Sequence, residues 1–377
     1  MTTSYTARVV SPDGSSVLAV ITNFVDADGP ALAYSLAVGK VGALKLTVPA
    51  WVDPGLFPLD ARIGVWRSID GRPPALDGQT VYLVRQWQYD DVSTTITAYS
   101  ANHLLTRRII AYYAGSSYSS KTAGTAAGDL IKSFVSEQML AGISAADRIG
   151  AETQADISAY LSAQPNLGDG VNLVAQIAWR SLFDVVTEMM DATTFAGAYV
   201  AADIVAPTES TLELRTYATQ RGVDHTASSG DPVILSPETG SLENCRLIVD
   251  RSQEVTVAIA AGQGEQSARL TASAIDTTRI ADSPLNRIEQ FGDYSNLSDT
   301  AALQDVADAM VRAGRPKISF SADLVETPGA TRGIHYDLGD MLTARFRGQQ
   351  YDVRLDAIQV SVGGGQQKSA AALRSVI

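Results

Sequence analysis

Histidines are the side chains of this sequence best suited to metal binding or general base catalysis. There are three of them, His103, His225 and His335, and none has a partner at helical or turn spacing. Zinc sites usually take ligands from such short spacings. The spacing therefore indicates structural histidines, and we expect neither a metal nor a cofactor.

Catalytic groups of other kinds are equally weak in the sequence. No Gly-x-Ser-x-Gly pattern marks a serine nucleophile. Glu188 and Asp191 lie three residues apart on a predicted helix, where they could share acid–base work or a metal, but a solvated helix face is the simpler interpretation. The Asp90-Asp91 pair is typical of a turn. We therefore predict no catalytic residue and no enzyme.

Binding motifs for nucleotides and nucleic acids are incomplete. Gly262-Gln263-Gly264 resembles half of a dinucleotide fingerprint, but it lies between two predicted strands and lacks the helix that holds a pyrophosphate. A hairpin turn is the better interpretation. Arg107-Arg108 is an adjacent basic pair in a chain with 29 Lys and Arg against 41 Asp and Glu, a net charge of −12. This balance opposes nucleic-acid binding, and we expect the two arginines to pair with acidic loops.

The composition is that of a folded protein. The chain has 377 residues, of which 45% are hydrophobic, and this length fits one large domain or two to three ordinary ones. Cys245 is the single cysteine, which excludes an intrachain disulfide and suggests a small buried side chain. No targeting segment opens the chain and no apolar run reaches the length of a membrane span. We expect synthesis in a cytoplasm and no membrane insertion.

Short strands with close turn signals dominate the first hundred residues, as in a small barrel or sandwich. They are predicted at Val17–Thr22, within Tyr34–Val48, at Val81–Trp87 and at Ser93–Tyr99. A helix follows, capped by Thr122 or Thr125, with an apolar face of Leu130, Ile131, Phe134 and Val135. A long helix is predicted from Val171 to about Ala192 with Asp169 as its N-cap, and then strands at Ala198–Val205 and Thr211–Tyr217.

The chain is again rich in predicted strands from Pro237 onwards. The predicted elements are a hairpin of Cys245–Asp250 and Val255–Ala260, strands at Ala268–Ala274, Ile318–Leu324, Met341–Phe346 and Asp352–Val362, and a short tail from Ala370 to Ile377. One helix interrupts them at about 298–313, with Ser298 as N-cap and Gly314 at its end. The fold class is α+β, mainly β. The predicted domains are 1–105, a helical α/β middle at 106–235, and 236–377.

Three segments together resemble the tail-tip hub proteins of phages with long non-contractile tails. The first, residues 93–110, is a strand followed by Leu-Leu-x-Arg-Arg-x-Ile, and the second, residues 245–270, contains the Gly-x-Gly turn and a following arginine. The third runs from residue 286 to 341 and ends in Asp337-Leu338-Gly339-Asp340 before a strand. Their order and spacing match the family over about three quarters of the chain.

The resemblance implies two small β-barrel-like domains with an intervening α/β region. It also implies a homotrimeric structural protein of the virion tail tip, with a pseudo-sixfold face. Its partners would be the tail tube and distal tail proteins, the tip or fibre proteins and the tape measure protein, with DNA only in transit. Lytic or receptor-binding modules at the C-terminus of many relatives are not expected here.

Two other functions stay open at this point: a cell-wall hydrolase and a glycan-binding receptor, both associated with the tail. The acidic net charge further suggests that a channel through the trimer repels DNA. Acidic loop positions that could line its wall are Asp90, Asp91, Glu265 and Asp293.

Overall fold

The computed structural model describes residues 2–26, 29–111, 120–140, 148–150, 155–195, 197–364 and 366–375. The chain forms two compact units. The first contains Met1–Met190, Tyr199–Arg246 and Phe320–Ile377, and the second contains Asp191–Ala198 and Leu247–Ser319. The domain limits placed after residues 105 and 235 stay predictions. None of the described helices is long and apolar enough to cross a membrane.

Strands account for most of the regular structure, which confirms the mainly β class. In chain order they are β1 (Thr3–Val10), β2 (Val17–Ile21), β3 (Leu32–Ala37), β4 (Ala43–Pro49), β5 (Arg62–Ile69), β6 (Ala75–Tyr89), β7 (Ser93–Ser100), β8 (Ser120–Ala126), β9 (Leu161–Ala163), β10 (Asn172–Gln176), β11 (Val200–Thr208), β12 (Thr211–Ala218), β13 (Asp224–His225), β14 (Ile234–Leu235), β15 (Leu242–Asp250), β16 (Val257–Ala261), β17 (Thr271–Ile275), β18 (Glu289–Asp293), β19 (Lys317–Leu324), β20 (Met341–Phe346), β21 (Gln349–Gly363) and β22 (Gln366–Ser375). The helices are α1 (His103–Thr106), α2 (Ala127–Met139), α3 (Leu182–Phe195), α4 (Thr277–Ile280) and α5 (Thr300–Ala313), with short 3-10 turns at Pro54–Leu56 and Gln266–Ala268.

One large sheet runs through the first unit. Its strand order is β15-β19-β22-β21-β3-β4-β7-β6-β5-β1-β2, with β13 and β14 beside β20, and β20 beside β21. Strands from the beginning and the end of the chain meet where β3 pairs antiparallel with β21. The end strands β15 and β2 do not pair with each other, so the described strands form no closed barrel. The predicted barrel-like domains are therefore not confirmed.

Alternation of side chains explains why these segments form strands. In β3, Leu32, Tyr34 and Leu36 are buried, and the residues between them are half-buried. In β19, Phe320, Ala322 and Leu324 are buried next to more exposed neighbours, as the strict alternation predicts. Most of the strands predicted in the first hundred residues and after residue 317 are confirmed.

The middle of the chain is partly as predicted. Helix α2 buries the expected apolar face, and β11 and β12 pair antiparallel. The N-cap of α2 is Ala126, which makes no side-chain hydrogen bond, so neither Thr122 nor Thr125 caps this helix. The glycine-, serine- and tyrosine-rich segment 112–120, which the sequence predicts to be a loop, lies almost entirely outside the described residues.

The long helix predicted from Val171 is wrong in its first half. Residues Asn172–Gln176 form β10, which pairs antiparallel with β8, and the helix begins only at Leu182. The backbone of this segment is paired with a strand far away in sequence, and that pairing overrides the local helical pattern. Asp169 is not the N-cap of a helix, because a strand follows it. Its carboxylate accepts a hydrogen bond from the Thr216 hydroxyl at 2.9 Å.

The second unit is a three-stranded sheet, β17-β16-β18, with α5 packed on it. Strand β16 is antiparallel to β17 and parallel to β18. The predicted hairpin of Cys245–Asp250 with Val255–Ala260 is therefore wrong: β15 pairs with β19 instead. The Gly-x-Gly segment does connect two antiparallel strands, β16 and β17, and Gly264 has φ +104°. Helix α5 is confirmed, but its N-cap is Asp299, which accepts from the Ala301 N–H.

The tail predicted from Ala370 is a strand as far as Ser375. β22 pairs antiparallel with β21 over most of its length. Ala371 and Leu373 are buried, so alternate side chains of this segment contribute to the core. Residues 376 and 377 lie outside the described part of the chain.

Candidate functional site

The three histidines lie in separate local contacts. The Nδ1 atom of His103 is 2.7 Å from the Thr106 hydroxyl, and that of His225 is 2.8 Å from the Asp231 carbonyl oxygen. His335 accepts a hydrogen bond from the Thr331 N–H at 3.0 Å. Within the described ranges, no three His, Cys, Asp or Glu side chains are placed to hold a metal ion. The structural role of the histidines stays a prediction.

The charged pairs singled out in the sequence lie in ordinary ion pairs. On the exposed face of α3, Glu188 accepts from Arg180 at 2.8 Å, and this hydrogen bond lowers the pKa of the Glu188 carboxyl. Arg107 pairs with Asp60 at 2.9 Å, so one arginine of the basic pair contacts an acidic loop as expected.

The Asp337-Leu338-Gly339-Asp340 segment is a turn held by its last carboxylate. Asp340 accepts hydrogen bonds from the backbone N–H groups of Asp337 and Val223, both at 2.6 Å. Gly339 has φ +91°, and a Cβ added to it would lie 2.6 Å from the Cβ of Arg221. Two features therefore restrict residue 339: its positive φ and the close approach of Arg221.

A Gly339→Val variant is expected to lose about 1–3 kcal/mol of unfolding free energy, because valine is strained at positive φ and clashes with the Arg221 Cβ. Gly230→Val is the matched control, since Gly230 has open space around it and no positive φ. Urea denaturation of both variants measures the difference. Equal stability of the two variants would show that this turn does not restrict residue 339.

A buried ionic cluster, which sequence analysis missed, lies in the first unit. We call Asp77, Arg332, Tyr34, Arg67 and Glu326 the arginine cluster. Arg332 donates to both carboxylate oxygens of Asp77, at 2.5 and 2.8 Å. The Tyr34 hydroxyl also donates to Asp77, and Arg67 pairs with Glu326. Arg67 donates in addition to the Arg332 carbonyl oxygen at 2.7 Å.

Burial makes this cluster electrostatically strong. Arg332 is 1% exposed and Asp77 is 8% exposed. Burial alone raises the pKa of the Asp77 carboxyl, but the Arg332 guanidinium outweighs it and the pKa is lowered overall. For Tyr34, burial and the neighbouring Asp77 charge both raise the pKa of the hydroxyl. The carboxylate is therefore ionised and the phenol protonated at neutral pH.

A second buried carboxylate, Asp203 on β11, joins other parts of the first unit. It accepts from the Gly39 N–H at 2.6 Å and the Asn102 side-chain amide at 2.9 Å. Arg221 lies 3.2 Å away as its ion-pair partner. Burial raises the pKa of Asp203 despite the Arg221 charge. Asn102 in turn accepts from the Ile204 N–H at 2.7 Å.

Both clusters connect segments that are distant in sequence. The arginine cluster joins β3, β5 and β6 to residues 326–332, and the Asp203 cluster joins the loop after β3 to β11 and to Arg221. Their polar groups face one another in the interior, and the cavity beside Asp203 and Arg221 has a volume of about 10 Å³. Such clusters fix the arrangement of the segments that they join.

The family of the chain follows from its match to a known family model. The model of the Siphovirus ReqiPepy6 Gp37-like proteins matches residues 79–373. The chain belongs to this family. The matched residues include β6 from residue 79 onward and the segment that contains Arg332. It confirms the resemblance to siphophage tail proteins that the sequence motifs indicated. No curated protein matches the chain.

Solved structures of tail proteins have a fold similar to that of this chain. The 43 kDa tail protein of prophage MuSo2 from Shewanella oneidensis is 8% identical, with a TM-score of 0.61 over 99% of this chain and 98% of that one. The tail protein from Neisseria meningitidis MC58 is 10% identical, with a TM-score of 0.56 over 100% and 97%. Prophage tail protein gp18 from Listeria monocytogenes EGD-e is 10% identical, with a TM-score of 0.53 over 99% and 95%. At these identities the likeness shows a common fold.

Proposed function

We propose that the chain is a structural hub of the siphophage tail tip, and not an enzyme. The observation that carries this is the common fold, over almost the whole of both chains, with a prophage tail protein. Three subunits would join the tail tube or distal tail protein on one face to tip and fibre proteins on the other. The tape measure protein would be a further neighbour, and DNA would pass through.

The interior of the first unit supports a mechanical role. Its buried ion pairs connect β5 and β6 to residues 326–332, which follow β19, and β3 pairs with β21 near the end of the chain. A load on one of these segments would be transmitted to the others. Networks of this kind hold distant segments in one arrangement. A hub needs such a fixed arrangement, because each subunit must hold two neighbours in register.

A trimer is the first expected consequence. With a chain mass of 39.9 kDa, three copies have a mass of about 120 kDa, and closed rings of identical subunits are the usual arrangement of homo-oligomers. Size-exclusion chromatography with light scattering measures the mass. A chain that stays monomeric at high concentration and is also not threefold in a tail reconstruction would contradict the proposal.

An acidic or neutral channel wall is the second expected consequence. Three chains at −12 each carry −36, and cations on the wall would bind phosphates and slow the passage of DNA. Of the four acidic candidates, Asp90 and Asp91 belong to the first unit and Glu265 and Asp293 to the second, where Asp293 pairs with Arg269. Lysines placed at the narrowest ring should slow DNA ejection. A wall lined by arginine and lysine in an assembled tail would exclude the idea.

The two alternative functions have direct tests. A clear lytic band on a peptidoglycan zymogram of the purified chain would favour a tail-associated hydrolase over the structural hub. Binding on a glycan array would favour a receptor module.

A further inference from the structure

Three large apolar side chains are exposed at one end of the sheet in the first unit. Trp51 and Val92 are each 76% exposed, and Tyr89 is 61% exposed. Together with Asp90 and Asp91, which are also exposed, we call them the tip surface. Single exposed apolar side chains are common on proteins, whereas neighbouring ones usually mark an interaction site.

Backbone hydrogen bonds place these residues together. The Ala50 N–H donates to the Val92 carbonyl oxygen at 3.0 Å, which brings the turn after β4 beside the turn between β6 and β7. The Asp90 N–H donates to the Ser93 carbonyl oxygen at 2.9 Å and closes that turn. Tyr89 pairs with Thr94 at the last step of the ladder between β6 and β7. The tip surface is therefore presented by a hydrogen-bonded framework.

Other apolar side chains of the loop after β4 are buried. Val52 and Phe57, which follow Trp51, are 8% and 1% exposed. Trp51 is thus exposed although apolar side chains that follow it in the same loop are buried. An indole in water forgoes the large gain of burying an aromatic side chain. A partner that covers it would recover that gain.

The charge of the tip surface is of one sign. Segments 49–60 and 88–93 contain four aspartates and neither lysine nor arginine. Asp60 is paired with Arg85 and Arg107, and Asp53 caps a 3-10 turn by accepting from Gly55. The Asp90 carboxylate accepts one hydrogen bond, from the Gln88 side-chain amide at 3.4 Å. Among the residues that the structure describes, no ion pair joins Asp90 or Asp91 to another side chain. The negative charges of both carboxylates are therefore available to a cationic partner beside the apolar side chains.

We infer that the tip surface docks on a partner protein that offers an apolar pocket for Trp51 and lysine or arginine side chains for Asp90 and Asp91. This rests on the proposed place of the chain in the tail and names one contact within it. Aromatic anchors surrounded by charge pairs are typical of interface hot spots. The free carboxylates oppose DNA as the occupant. Asp90 and Asp91 then belong to a protein contact, and Glu265 and Asp293 stay candidates for the channel wall.

Hydroxyl-radical footprinting compares the free chain with assembled tails of the phage that encodes it. Trp51 should be oxidised in the free chain and at least fivefold less oxidised in tails. Trp179, which is 57% exposed in the same unit, is the reference for general accessibility. Equal oxidation of Trp51 in both samples would overturn the inference. Absence of the chain from tails would instead remove the proposed function on which it rests.

Carbodiimide crosslinking of the same tails identifies the occupant. Asp90 or Asp91 should be joined to a lysine of a different tail protein. A crosslink to a second copy of this chain would overturn the inference and assign the surface to contacts between subunits.

Variants supplied by complementation test the two parts of the contact separately. Trp51→Ala and the double change Asp90→Lys with Asp91→Lys should each reduce incorporation into tails at least tenfold, while circular dichroism and the oligomeric mass stay unchanged. Val223→Ser and Asp231→Lys, both at exposed positions of the first unit, are the matched controls. Normal incorporation of both tip variants would overturn the inference.

Discussion

Replacing Arg332 by alanine is expected to lower the free energy of unfolding by about 3–5 kcal/mol, the usual cost of leaving one partner of a buried ion pair without the other. Asp77 would keep a charge in the interior, and among the described residues the Tyr34 hydroxyl would be its one remaining direct side-chain donor. The hydrogen bond from Arg67 to the carbonyl oxygen of residue 332 should persist in the variant, because the substitution leaves that backbone oxygen in place. Urea denaturation followed by fluorescence or circular dichroism measures the change.

An exposed ion pair provides the control for this variant. Arg287 pairs with Glu289 at 2.8 Å, and both side chains are more than half exposed. Arg287→Ala should change the unfolding free energy by at most about 1 kcal/mol, since solvent screens such pairs. The double variant with Asp77→Leu and Arg332→Met should recover much of the loss, because neither member of this pair is then left as an unpaired buried charge. Equal losses in Arg332→Ala and Arg287→Ala would mean that the arginine cluster is not a stabilising contact.

The pH dependence of stability gives a further check on the same pair. The pKa of Asp77 is lower in the folded chain than its ordinary value. A group whose pKa is lowered on folding stabilises above its unfolded pKa, and this contribution is lost as the pH falls through the folded pKa. The wild type should therefore lose more stability in acid than the double variant, in which this pair is absent.

Local patterns explain which elements the sequence predicts well. Strand β19 and helix α5 each show one clear period, and each is found close to its predicted bounds. The caps are less certain. Serine and aspartate cap helices about equally well, so the sequence does not distinguish Ser298 from Asp299. In the structure Asp299 is the N-cap of α5.

Long-range pairing explains what the sequence does not show. Asn172–Gln176 becomes β10 because β8 provides a strand partner, and β22 forms because β21 does. In the arginine cluster, Asp77 and Arg332 are 255 positions apart, and no local period connects them. An isolated arginine and an isolated aspartate look like surface residues until the fold brings them together. The weak signal available was Tyr34, which lies between Leu32 and Leu36 on the buried side of β3 and whose hydroxyl needs a buried partner.

Leu303 in the second unit should be the most sensitive apolar position of that unit. It is fully buried on α5, and the other buried members of its cluster are small: Ala258, Ala260, Ala274, Ala307 and Val311. Larger side chains that pack against the cluster, such as Leu270 and Met310, are only partly buried. Leu303→Ala removes the largest fully buried side chain of this core, and the expected loss is within the range of about 2–5 kcal/mol for leucine to alanine.

Packing around Leu303 is already tight, which supports a large effect. A Cβ added to Gly262 would lie 2.7 Å from a Leu303 methyl carbon, so the β16–β17 turn closes directly on this side chain. Hydrogen exchange of the β16 amides reports on the sheet that Leu303 covers, and these amides should exchange at least tenfold faster in the variant. Leu285→Ala is the control, because Leu285 is 88% exposed in the same unit and its truncation should cost at most about 0.5 kcal/mol. Unchanged β16 exchange in Leu303→Ala would mean that α5 does not stabilise the sheet through this residue.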